Sequence, residues 1–262
     1  MNLENKVVLV AGGSSGIGEQ VCYEAAKKGA IVVTCARRIQ LIGQVKEECK
    51  KLSKKEAYAF QMDITNPDSI NRVVQRVKDE VGQVDILVNA AGFGLFEDFL
   101  SIDLEKARNM FEVNVLGMMV LTQKIASDML TNESGHIINI ASLGGKIATP
   151  KSTVYSATKF AVVGFSNALR LELKPFNIHV TTVNPGPVKT TFFEQSDPSG
   201  DYLKRVGQLS LDPTYLGRKI VKTMEHPKRE INKPVIMEIA YRFYVLFPAI
   251  GDYLAGGLFN MK

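Results

Sequence analysis

Short β-branched runs alternate with helical segments along this 262-residue chain, and this constrains its fold more than any other feature. "KVVLVAGG" at 6–13 is apolar throughout and closed by glycines, which reads as a strand buried on both faces. Helical spacing follows over 16–29 and stops at Gly29. "AIVVTCA" at 30–36 reads as a second strand, 39–52 as a polar helix and "AYAFQMD" at 57–63 as a third strand. The next helix opens at Asn66 or Asp68, both good caps, and puts Ile70, Val73, Val74 and Val77 on one face. "VDILVNAAG" at 84–92, "HIINIAS" at 136–142 and "NIHVTTVNPG" at 177–186 read as three more strands. Between them lie one long helix over 103–130 and another running to about residue 174. Uninterrupted alternation with right-handed crossovers predicts a single α/β domain, a doubly wound parallel sheet with helices on both faces.

Composition narrows the classes. Hydrophobic residues make up 45% of the chain, enough for a large core, and the net charge of +5 is spread rather than blocked. No basic run of the kind that binds nucleic acid occurs. Cys22, Cys35 and Cys49 form no C-x-x-C pair, which fits reduced thiols and a cytoplasmic protein. The start "MNLENKVVLV" has no leader pattern, and no apolar stretch reaches the ~18 residues of a membrane span. No metal-ligand set is expected.

"AGGSSGIG" at 11–18 joins the first strand to the first helix. Gly12 allows the turn out of the strand, Gly16 lets the backbone approach a pyrophosphate, and Gly18 lets the helix pack closely on the sheet. The helix N-terminus then offers free N–H groups to phosphates. Strand two ends "CARR". An acidic residue there would hold the ribose 2′-hydroxyl of NAD, but Arg37 and Arg38 suit a 2′-phosphate, so NADP(H) is the expected nucleotide.

The spacing G-x-x-x-G-x-G of this Rossmann-like loop resembles that of the short-chain dehydrogenase/reductase family, with Ala11 where the family usually has threonine. The resemblance covers about residues 5–190 and implies further roles. Ser14, Ser15 and Ile17 would complete the coenzyme loop. Asp63 and Ile64, in "MDIT", would lie near the adenine. "NAAG" matches the family's N-N-A-G, giving Asn89, Ala91 and Gly92, with Ala90 replacing its second Asn. "NPGPVKT" matches P-G-x-V-x-T, giving Pro185, Gly186, Val188 and Thr190 along the nicotinamide.

"STVYSATKFAVVGF" at 152–165 sets Tyr155 and Lys159 on one helix face. Taken alone, the pair also suits a lysine snorkelling past a core tyrosine. The family's Asn-Ser-Tyr-Lys tetrad is matched by Asn114, Ser142, Tyr155 and Lys159. The resemblance implies an oxidoreductase acting on a carbonyl or secondary alcohol, with Tyr155 as general acid or base. Lys159 would lower the phenol pKa and hold the nicotinamide ribose. Ser142 would bind the substrate oxygen, and Asn114 would position a water. Phe93, Leu143, Phe192 and Phe193 would flank a small-molecule substrate. Two other classes stay open: a catalytically silent NADP-binding redox sensor, and a membrane-surface or assembly protein working through its tail. An epimerase or dehydratase with the same Y-x-x-x-K usually needs a longer chain.

Beyond residue 190 the pattern breaks. Residues 191–228 read as a substrate loop followed by a polar helix at about 213–226. Residues 229–262 form an apolar, aromatic tail within the same domain. The tail is expected to cover the substrate pocket or a subunit interface in a homo-dimer or homo-tetramer, with membrane-surface contact a further possibility.

Overall fold

The strand Val7–Ala11 (β1) shows how the sheet is buried. All five residues are buried, but they divide alternately: Val8 and Val10 join one apolar cluster, Val7, Leu9 and Ala11 the other. A period of two with both faces covered is what a central parallel strand requires. The computed structural model describes residues 2–196, 207 and 210–256.

Around β1 stand β2 (Ile31–Ala36), β3 (Tyr58–Gln61), β4 (Ile86–Asn89), β5 (Gly135–Ile140), β6 (Ile178–Pro185) and β7 (Glu230–Lys233). Their order is β3-β2-β1-β4-β5-β6-β7, parallel throughout. Residues from α1 (Gly16–Ala26), α2 (Ile39–Ser53) and α8 (Pro213–Glu225) fill one face's cluster. Residues from α3 (Pro67–Glu80) and α5 (Met118–Thr131) fill the other, with Leu169 and Leu173 of α6 (Thr153–Leu173). Asn66 caps α3, its side chain accepting from the N–H groups of Asp68 and Ser69, while Pro67 takes the first helical position. The chain reverses direction across the sheet between β1 and β4, and this switch opens a crevice at the strands' carboxyl ends.

Three features depart from the sequence reading. The long helix over 103–130 is interrupted: α4 (Leu104–Phe111) leads into a π-helical segment, Glu112–Gly117, before α5. Gly117, the last residue of that segment, leaves no room for a side chain: a Cβ there would lie 2.1 Å from the Ile64 carbonyl oxygen. The polar "EINK" adds a seventh, edge strand, β7. The apolar tail folds as two helices, α9 (Val235–Leu246) and α10 (Pro248–Gly256). Of the 191–228 region, Phe192–Ser196 forms the short helix α7, while residues 197–206 lie outside the described residues, as does the tail beyond residue 256. Among the described residues no helix is long and apolar enough to cross a membrane, and no cluster of His, Cys, Asp or Glu could hold a metal.

Candidate active site

The glycine loop begins where β1 ends. Gly12 has φ of +86°, and a Cβ on it would stand 2.4 Å from the Ala91 nitrogen, so the turn out of β1 can pass the end of β4 only without a side chain. Ser15 precedes α1 in extended conformation and makes no side-chain cap, so no side chain blocks the helix's first-turn N–H groups. Arg38, at the start of α2, reaches back to donate to Ser14 Oγ and Ser15 Oγ, both at 3.0 Å. Asp63 Oδ1 accepts from the Thr65 amide and hydroxyl at 2.9 and 2.8 Å. The Thr65 amide does most to hold this carboxyl below its usual range; the Thr65 hydroxyl and the nearby Arg37 charge add to that, against a smaller opposing effect of burial.

Ser142 follows β5, which carries it to the carboxyl end of the sheet. Its Oγ accepts the Gly144 N–H at 3.0 Å, lies 3.5 Å from the Pro185 carbonyl oxygen and stands close enough to the Tyr155 phenol to lower its pKa. Tyr155 and Lys159 lie on one face of α6, both buried, with Lys159 Nζ 5.8 Å from the Tyr155 ring centre. Nζ donates to the Ile140 carbonyl oxygen at 3.0 Å. Burial controls both charges. It pushes the phenol up to about 12, against a smaller downward pull from Ser142, and it pushes the ammonium down to about 8. The sequence reading has Lys159 lowering the phenol; in this geometry desolvation prevails, and Tyr155 is protonated at neutral pH.

Asn114 occupies the π-helical segment, a backbone form that recurs at functional sites. Its Oδ1 accepts the Phe93 N–H at 3.0 Å, and its Nδ2 donates to the Phe93 carbonyl at 2.8 Å and to Thr158 Oγ1 at 3.1 Å. The side chain thus pins the segment after β4 against α6. Asn114 Oδ1 and Lys159 Nζ both flank Gly92, within 3.1 and 3.5 Å of where its Cβ would be.

One cavity of about 890 Å³ joins these parts. Its wall includes every residue singled out from the sequence except Asn89 and Asn114. Asn89 is buried behind it, donating to Thr122 Oγ1 at 2.9 Å and Asn139 Oδ1 at 2.8 Å, and so braces β4 against β5 and α5. Sequence reasoning missed Phe96, Ile147, Thr149 and Met237; of the apolar tail residues expected to cover the pocket or an interface, Ile236, Ile239, Phe243 and Tyr244 of α9 line the cavity. Phe96 carried a signal as part of the aromatic pair with Phe93; Ile147 and Thr149 carried none.

Residues 6–200 match the family model for short chain dehydrogenase. An uncharacterized oxidoreductase of Staphylococcus saprophyticus is 32% identical over 227 residues, 87% of this chain and 94% of that one. A short-chain dehydrogenase/reductase from Burkholderia phymatum, solved with NAD, superimposes with a TM-score of 0.88 over 95% of this chain and 96% of its own, at 20% identity. The closed form of a serine dehydrogenase complexed with NADP+ is 28% identical, with a TM-score of 0.80 over 88% of this chain and 95% of its own.

Proposed function

The chain belongs to the short-chain dehydrogenase/reductase family, and from that premise we propose an NADP(H)-dependent enzyme that interconverts a carbonyl compound and a secondary alcohol. The observation that carries the reading is the convergence of Ser142, Tyr155 and Lys159 on the same cavity as the glycine loop.

The residues present fit a dinucleotide. Gly12, with its left-handed backbone and no room for a Cβ, makes a cradle that Ser14, Ser15, Gly16, Ile17 and Gly18 continue to the open start of α1. Arg37 and Arg38 would pair with a 2′-phosphate, and no acidic side chain of β2's end opposes them. Asp63 and Ile64 would border the adenine. Ala91, Gly92, Pro185, Gly186, Val188 and Thr190 would border the nicotinamide half. Lys159 would hold the ribose hydroxyls. When bound, the nicotinamide supplies or accepts the hydride.

The remaining steps belong to the chain. Tyr155, protonated at neutral pH, donates its proton to the carbonyl oxygen as that oxygen gains charge, and takes it back in the oxidative direction. Ser142 donates to the same oxygen and stabilises it. The Lys159 ammonium stands beside the phenol and favours the phenolate left after transfer. Asn114 acts as a positioning residue, fixing Phe93 and α6. A homo-dimer or homo-tetramer suits the exposed Phe111, Leu116 and Phe160 of α4, the π segment and α6, and sedimentation tests it.

An NADPH- and NADH-consumption screen across carbonyl classes tests the reading. Expected is turnover with NADPH above NADH. Nucleotide binding without turnover of any carbonyl would favour the silent redox sensor instead.

A further inference from the structure

We infer that the substrate is a neutral ketone, or the matching alcohol, bearing a long unbranched hydrocarbon chain that lies along α9; this rests on the carbonyl-reductase reading above. Three observations converge on it.

The first is the surroundings of the phenol. The rings of Phe96 and Phe192 pack on Tyr155 with centroids at 5.6 and 5.9 Å, and Phe193 meets Phe192 edge to face at 5.3 Å. A carbonyl that reaches the Tyr155 hydroxyl is therefore flanked by aromatic rings. The second is charge. Among the described lining residues the only charged side chains are Arg37, Arg38, Asp63 and Lys159. The first three belong to the glycine-loop end. Among the described residues, a substrate carboxylate or phosphate beside Tyr155 would find no cation beyond Lys159 to offset its desolvation.

The third is α9. Ile236, Ile239 and Phe243 line the cavity and yet are 62%, 60% and 42% exposed. Their spacing of three and four residues makes one stripe, about 10 Å long at 1.5 Å per residue. This wall is held in place from its other side. Buried Lys146 pairs with Glu230 of β7 at 2.6 Å and Glu238 of α9 at 3.6 Å, under the Tyr241 ring at 4.7 Å. A narrow, preformed, half-wet apolar stripe continuous with the catalytic cavity fits an extended chain, which covers it at little cost in ordering the protein.

The test is a series of linear methyl ketones, 2-butanone to 2-decanone, with NADPH and with NADH. For wild type, kcat/KM should rise about two- to fourfold per methylene, as burial of hydrocarbon dictates. Ile239→Asp should reduce that step to near onefold; Ile239→Ser is the milder variant if the first fails to fold. Turnover with a flat series, or preference for 2-keto acids or a polycyclic ketone over 2-decanone, overturns the chain assignment while the reductase reading stands. No turnover of any ketone with either nucleotide overturns both.

Discussion

Lys159→Met should make the protein more tolerant of neutral pH and relatively less stable in alkali. Among the described residues the buried ammonium has one carbonyl partner, Ile140, and no carboxylate. Burial moves its pKa from 10.5 to about 8. The sign follows from proton counting: between about pH 8 and 10.5 the unfolded chain binds more protons at this site than the folded one, so wild-type stability gains with rising pH across that window. Integrated from pH 7 to pH 10, the gain is about 2.5 kcal/mol, at ~1.4 kcal/mol per pH unit. Methionine has similar length and no charge, so the variant lacks this contribution. The orphaned Ile140 carbonyl costs about 1–3 kcal/mol, but equally at both pH values. The difference in unfolding free energy between variant and wild type, from urea denaturation at pH 7 and at pH 10, should therefore shift by about 2.5 kcal/mol toward wild type. A difference that stays constant with pH would mean that the ammonium is solvated, and the account of a charge held in the site at the expense of stability would fall.

Tyr155→Phe should leave the fold and NADPH affinity near wild type in calorimetry, and lower kcat on the order of 10²–10⁴-fold; near-wild-type turnover would return the tyrosine to a packing role. Arg37→Asp should weaken NADPH far more than NADH, measured as the ratio of their dissociation constants, because a carboxylate then faces the 2′-phosphate; an unchanged ratio would remove Arg37 from nucleotide selection. Lys146→Met leaves Glu230 and Glu238 without their shared buried cation. It should lower unfolding free energy by about 3 kcal/mol in denaturant titration, and a loss under about 0.5 kcal/mol would show that α9 is held by packing alone.

The alternation that predicts β1 to β6 is readable because buried parallel strands carry continuous β-branched runs, and each of the six appears within two or three residues of its expected ends. β7 escapes that reading: it is an edge strand of four residues in which only Ile231 is buried, so "EINK" has no apolar run to find. The π segment escapes for a different reason. Its extra residue per turn leaves the apolar spacing of 103–130 almost unaltered, and its one sequence trace, Gly117, is explained only by Ile64 arriving from β3's far end. Asn89 shows the limit of motif matching. A strand-end Asn three residues before a glycine can face a ligand or the interior, and Thr122 and Asn139, far off in sequence, take it inward. The apolar residues of the tail are visible in the sequence, but not whether they face the pocket or a subunit interface, since that depends on the Lys146 cluster drawing α9 against the sheet.

The amino ends of the strands carry the opposite pH limit. His136 begins β5, fully buried, in register with His179 on β6, whose ring lies 6.0 Å away. Its Nε2 is 2.8 Å from Thr181 Oγ1, and that hydroxyl donates to the Lys228 carbonyl. Thr181 has only one proton, so it must accept from His136, which fixes the neutral ring as the Nε2–H tautomer. Nδ1 is buried with no hydrogen-bond partner among the described residues. A second proton would go to Nδ1, where nothing can accept it; burial, followed by the neighbouring His179, accordingly lowers the pKa to about 3. The unfolded chain binds the extra proton below its ordinary 6.5, so stability falls with falling pH between about 6.5 and 3. His136→Gln can keep a donor toward Thr181 without the titration. Its stability relative to wild type should therefore rise by on the order of 3 kcal/mol between pH 7 and pH 4, read as a shift in urea midpoint, while turnover at pH 7 holds because the residue lies at the end of β5 away from Ser142. If the acid limits of wild type and variant coincide, the buried neutral imidazole is not what sets them.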